Sequence, residues 1–158
     1  MSDKREASRK AGYKGAQPQP EKPPQARSAA GQFQLGLNYT AQAEQVIQEL
    51  KRSMGRDYQN FTTSKIRNVL AKVSEIYNDV RAENDEVLSL DLQSRIEYLK
   101  VRLVYECGRE PRVVKPFVVK AKLLDLLNSI GDSRQKFIEF ARYMEALVAY
   151  HRFYDGRD

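Results

Sequence analysis

Histidine and cysteine occur once each in the 158 residues, as His151 and Cys107. Hydrolases and metalloenzymes need converging histidine, cysteine or carboxylate groups, so this scarcity removes most nucleophile–base pairs and most zinc sites. Cys107 has no partner for an internal disulfide and reads as a small buried hydrophobe. His151 lies on an apolar helical stripe, which suits a core or rim histidine better than a ligand or a general base. Glycine-rich phosphate loops of the Walker or Rossmann type are also missing. The acidic group Asp79, Glu83, Asp85 and Glu86 reads as a solvated surface loop and not as a cation site. No window approaches the ~20 apolar residues of a membrane span, and Met1 to Lys10 have no apolar stretch for a signal peptide. We therefore expect a cytoplasmic protein that is not an enzyme, with no metal, cofactor, membrane or small-molecule substrate.

What is present divides unevenly. Residues 1–36 hold four of the six prolines and four of the eight glycines, with almost no large aliphatic side chains. Such a segment cannot build a core. Its seven Lys/Arg against three acids give +4 of the chain's +6. The expectation is a disordered basic arm over 1–36, followed by one domain over 37–158.

From Leu37 onward the apolar residues recur at helical spacing, and Gly55, Gly108, Gly131 and Gly156 each follow such a stretch, as residues after a helix end do. The first predicted helix runs over about 39–54, with Thr40 as N-cap and Ala43, Val46, Ile47, Leu50 and Met54 inward. A second starts at Thr62/Thr63 and repeats Ile66, Val69, Val73, Ile76 and Val80. A third, about 90–107, is apolar on two sides, with Leu92, Ile96, Leu99 and Leu103 opposite Tyr98, Val101 and Tyr105, which predicts a central position. A fourth begins near Pro116, tolerated in a first turn, and continues to Ile130. The fifth opens on Asp132 and Gln135 as a capping box and carries Phe137, Phe140, Met144, Leu147 and His151 inward. With no strand pattern, the fold class is all-α, a single five-helix bundle.

The basic residues fall where helix physics disfavours them. A helix N-terminus has partial positive charge and exposed N–H groups, so first turns favour Asp and Glu. Here the second helix opens with Lys65 and Arg67, and the fifth with Arg134 and Lys136. The fourth is approached through Arg109, Arg112 and Lys115 and continues with Lys120 and Lys122. A bound phosphate turns each cost into a gain. Lys65 and Lys72, seven residues apart, share one flank about 10.5 Å apart along the axis, a spacing that can follow a sugar-phosphate backbone. Arg109 also has a simpler reading, since a cation suits a helix C-terminus. Tyr143, Tyr150 and Tyr154 form a band on the last helix that reads as packing before it reads as base stacking.

Three stretches carry a family resemblance: Thr62 to Leu70 (Thr-Thr-Ser-Lys-Ile-Arg-Asn-Val-Leu), Tyr98 to Arg109, and above all Phe140 to His151 (Phe-Ala-Arg-Tyr-Met-Glu-Ala-Leu-Val-Ala-Tyr-His). In order and spacing they resemble the small-subunit family of type III-A CRISPR effector complexes, over about Tyr39 to Asp158. The resemblance implies a helical bundle without a nuclease site, stacked in several copies along a ribonucleoprotein filament. Its implied partners are guide RNA, target RNA, other copies of itself, and the backbone and large subunits. RNA is then contacted without sequence preference, in antiviral defence. Lys65, Arg67, Arg109 and Arg142 sit inside the matching stretches and become the expected RNA-binding residues. Lys72, Arg112 and Lys120 join them on charge alone. The basic arm departs from the family's pattern. A helical protein-interaction adaptor or a DNA-binding regulator is the alternative, although the helices are too apolar for a helix-turn-helix reading head.

Overall fold

The computed structural model describes residues 33–154. Among these residues six α-helices follow one another: α1 Tyr39–Met54, α2 Thr63–Ala82, α3 Leu90–Arg109, α4 Val114–Lys120, α5 Leu123–Ile130 and α6 Arg134–Phe153. A short 3-10 segment, Gly55–Asn60, joins α1 to α2. The all-α expectation holds, but the count of five does not. The predicted fourth helix is two helices, because Lys122 adopts a left-handed backbone (φ 54°) between α4 and α5. That break changes which residues face inward. Phe117, Val118 and Ala121 are buried on α4, and an unbroken helix would next bury positions 124 and 125. Instead Leu123, Leu126, Leu127 and Ile130 are buried and Asp125 is exposed. The freed Ala121 carbonyl accepts a bond from the buried Tyr143 hydroxyl at 3.3 Å.

Helix ends follow local chemistry, with some shifts from expectation. Gly55 and Gly131 stop α1 and α5 with φ of 54° and 55°, a region that L side chains disfavour. Gly108 instead lies inside α3, and Gly156 lies outside the described residues. Thr40 falls within α1, whose N-cap position is Asn38. Thr62 does occupy the N-cap of α2, but its hydroxyl lies against that of Ser64 at 3.1 Å. The expected Asp132/Gln135 capping box does not form: the N-cap is Ser133, whose hydroxyl accepts from the Lys136 N–H at 3.4 Å, while Gln135 donates to Glu139.

The central helix is α6, not α3. Its buried residues include Phe137, Phe140, Tyr143, Met144 and Leu147, and it packs on α1, α2 and α5. The α3 stripe from Leu92 to Leu103 packs on α2, α4 and α5, and its second apolar side is left exposed as Tyr98, Val101, Val104 and Tyr105. Apolarity on two sides therefore marks an uncovered face here. Of the expected arm, residues 1–32 lie outside the described ones, while Phe33 and Leu35 rest against the core.

One polar tie crosses this core. His151 is fully buried, its Nε2–H donates to the Phe61 carbonyl at 2.7 Å, and Nδ1 accepts from the Thr63 hydroxyl at 3.2 Å. This pins the C-terminal end of α6 to the start of α2, in the satisfied core role expected of it. Burial pushes the imidazole below its ordinary value, against a smaller upward effect of the Phe61 bond. The unfolded chain takes up a proton near pH 6.5 that the folded chain resists, so stability rises with pH through this window and is lost as pH falls below it. Melting temperatures should drop between about pH 7.5 and about pH 5.5, and His151→Gln should flatten that drop while lowering the midpoint at the higher pH. An equal pH slope in both proteins would assign the dependence to other groups.

Candidate nucleic-acid interface

Packing of α2 against α3 is antiparallel, since Lys65 of α2 pairs with Glu110 just beyond α3, and Asp79 near the other end pairs with Arg95 at 2.6 Å. The flank that Lys65 and Lys72 share therefore faces α3. Between the helices lies an open groove of two adjoining cavities, each about 390 Å³. The first is lined by Lys65, Lys72, Arg102 and Arg109 over an apolar floor that includes Val69, Leu99 and Leu103. The second continues past Lys72 and Arg102 to Ile76, Arg95 and Tyr98.

Both walls carry cations at the same interval. Lys65 and Lys72 on α2, and Arg109 and Arg102 on α3, are each seven residues apart, two turns or about 10.5 Å along the axis. Because the helices run antiparallel, Lys65 falls opposite Arg109 and Lys72 opposite Arg102. Arg102 is not among the residues expected from the sequence. Its signal there is its place beside the Leu99 and Leu103 stripe and its seven-residue interval from Arg109.

These four cations differ in how far the chain already answers them. Lys65 is ion-paired to Glu110, and Arg109 to Glu106 at 2.6 Å. Among the described residues Lys72 meets only the exposed Glu75 on its own helix at 3.2 Å, and its side chain is 61% exposed. Such a surface pair contributes little and yields easily to a stronger anion. No carboxylate pairs with Arg102 among the described residues. The Arg95 guanidinium is held more firmly protonated, first by the hydrogen bond it donates to Asp79.

The remaining expected residues do not line this groove. Arg67 is exposed on the other flank of α2, and Arg112 is exposed on the turn after α3. Lys120 ends α4 and pairs with Glu49 of α1 at 3.3 Å; bonds from Gln45 and then Lys120 lower the Glu49 carboxyl. Arg142 lies on the exposed face of α6. The basic first turn of α6 has a local explanation. Arg134 Nε donates to the Val80 carbonyl at the end of α2, and Lys136 Nζ to the Ser129 carbonyl at the end of α5, both at 3.0 Å. Each cation thus serves the negative end of a neighbouring helix.

Tyr143 is fully buried, and Tyr150 stacks on Tyr154, whose hydroxyl donates to Glu44 and accepts from Gln48 at 2.8 Å. The tyrosine band of α6 is packing. Among the described residues no group of three or more His, Cys, Asp or Glu is placed to hold a metal, and no helix is long and apolar enough to cross a membrane.

Comparison with known proteins bears on the same chain. The family model described as Csm2 Type III-A matches residues 36–157. The CRISPR system Cms protein Csm2 of Streptococcus thermophilus is 40% identical over 121 residues, 77% of this chain and 94% of that protein. Its namesake in Mycobacterium tuberculosis (strain ATCC 25618 / H37Rv) is 38% identical over the same shares. The one in Enterococcus italicus is 35% identical over 136 residues, 82% of this chain and 95% of that protein. The resemblance carried by Thr62–Leu70, Tyr98–Arg109 and Phe140–His151 thus extends over the folded chain, which belongs to the Csm2 family of type III-A CRISPR systems.

Proposed function

We propose that the chain is a non-catalytic small subunit of a type III-A CRISPR ribonucleoprotein effector complex, acting in the cytoplasm in antiviral defence. In this role it stacks with other copies of itself beside the backbone and large subunits and holds guide and target RNA by the sugar-phosphate backbone. The observation that carries the RNA-binding part is the α2/α3 groove, whose two walls present cations at one interval, with Lys72 and Arg102 open to an incoming anion. Phosphate contacts from such a groove position a strand without reading its sequence. Lys65 and Arg109 extend the same track once a phosphate competes with their carboxylate partners. Arg67, Arg112 and Arg142, exposed outside the groove, add further phosphate contacts, as does Lys120 at the α4 end. The basic arm over residues 1–36 contributes diffuse attraction of the same sign.

Purification of the tagged full chain from its native cells tests this reading. Small guide RNA and the other subunits should co-elute, and the RNA should be lost at high salt or after ribonuclease. A chain that elutes alone, or with a protein partner and no RNA before or after nuclease inhibition, makes it an adaptor instead.

A further inference from the structure

Tyr98 is a large aromatic residue left 63% exposed, yet it is not isolated on the surface. Tyr98 lines the second cavity of the α2/α3 groove together with the apolar Ile76 and Leu99 and the charged Lys72, Glu75, Arg95 and Arg102. Tyr98 and Arg102 are four residues apart on α3, one turn or about 6 Å along the axis, and so share a face. Of the other charged groups there, Arg95 bonds Asp79, and Glu75 lies 3.2 Å from Lys72 and 3.9 Å from Arg95. Arg102 is therefore the rim cation that no carboxylate answers among the described residues. Lys72, Leu99 and Arg102 line both cavities, so the aromatic pocket is continuous with the cationic track. A single-stranded nucleotide matches this layout, with a flat apolar base against the ring and an anionic phosphate at the rim. A cavity of about 390 Å³ is within the range that admits a small organic group of that size.

We infer that this pocket receives an unpaired base of single-stranded RNA, stacked on the Tyr98 ring, with the adjoining phosphate on Arg102. The inference rests on the RNA-binding reading above and adds to it a base contact that is tolerant of sequence, because every base has a π-face. Val101 and Tyr105 continue the exposed side of α3 but do not line the pocket, so Tyr105 is the control for an exposed aromatic outside it.

The test uses the full chain with a short oligouridine and a ribose-phosphate strand of equal length without bases. Wild type should bind the oligouridine about fivefold or more tighter than the abasic strand, the lower end of what one base–aromatic stack contributes. Tyr98→Ala should remove that preference and leave the salt dependence, Tyr98→Phe should keep it, and Tyr105→Ala should not change it. A 2-aminopurine placed in the strand should lose fluorescence on binding wild type and Tyr98→Phe, but not Tyr98→Ala. Equal affinity of wild type for both strands with salt dependence intact overturns the stacking and leaves the phosphate reading standing. Absence of salt-dependent binding to either strand removes the phosphate reading, and the stacking with it. A Tyr98→Ala protein that keeps its oligouridine preference but loses subunits on native purification makes this a protein-docking face and overturns the inference.

Discussion

Truncating Phe61 to alanine should lower the melting midpoint by more than about 10 °C, a loss of about 3–5 kcal/mol for a fully buried phenylalanine. Phe61 is 1% exposed and lies where the 3-10 segment turns into α2. Its ring meets Phe117 of α4 with centroids 5.0 Å apart, His151 of α6 at 4.8 Å and Tyr58 at 6.0 Å. The backbone carbonyl that accepts from His151 survives the substitution, so the loss measures packing and not the polar tie. Phe153, also aromatic but 74% exposed, is the control, and its alanine variant should move stability by no more than about 0.5 kcal/mol. Thermal melts of the two variants decide the matter. Equal small shifts would mean that the junction of α2, α4 and α6 is loosely packed.

Reversing the two open cations of the groove, Lys72→Glu with Arg102→Glu, should weaken single-stranded RNA binding at least tenfold at low salt. It should also make the slope of log affinity against log salt shallower by about 1.4, at about 0.7 for each phosphate that is no longer neutralised. The fold should survive. Lys72 gives up only an exposed pair with Glu75, and Arg102 has no carboxylate partner among the described residues. Replacing both by alanine should have the same direction and a smaller effect, because repulsion is absent. The weakening should be equal for unrelated sequences, since phosphate contacts carry no base information. Unchanged affinity and slope in a normally folded double variant would remove the groove from the RNA path. Arg134 serves as the contrasting cation: its guanidinium caps the end of α2, so its removal should lower stability and leave the salt slope alone.

The helices are readable in the sequence because their inward stripes repeat at helical spacing, so α1, α2, α3 and α6 lie almost where the periodicity of Ala43, Ile66, Leu92 and Phe137 puts them. The α4/α5 break is also written in the residues, as a slip of the stripe between Ala121 and Leu123. It is hidden because Lys122 is not a residue type that announces a left-handed turn. Centrality is misjudged for a different reason: periodicity shows which faces are apolar, but not which of them find a neighbour. Tyr98 and Tyr105 look the same as core residues until α3 is seen at the edge. The candidate site is legible as charge and not as geometry. Lys65, Lys72 and Arg109 stand out along the chain. Their meeting with Arg102 across a groove depends on how α2 and α3 pair, as does the attenuation of Lys65 by Glu110.

The placement of α6 at the centre has a consequence for the order in which the chain becomes a protein on the ribosome. The inward stripes of α1 and α2 pack chiefly on α6, the last of the described helices to be made. At about 5–20 residues per second, the stretch from Ala82 to Phe153 takes roughly 4 to 14 s to synthesise. During that interval the cover of Ile47, Leu50, Ile66 and Val73 is incomplete, because α3 and α4 supply only the lesser part of the packing on α1 and α2. The nascent chain then depends on transient pairing of its first two helices, or on a holding chaperone, to stay out of aggregates. Completion of the core therefore awaits α6, and a chain truncated within that helix should lose the packing of α1 and α2 together and not one helix alone.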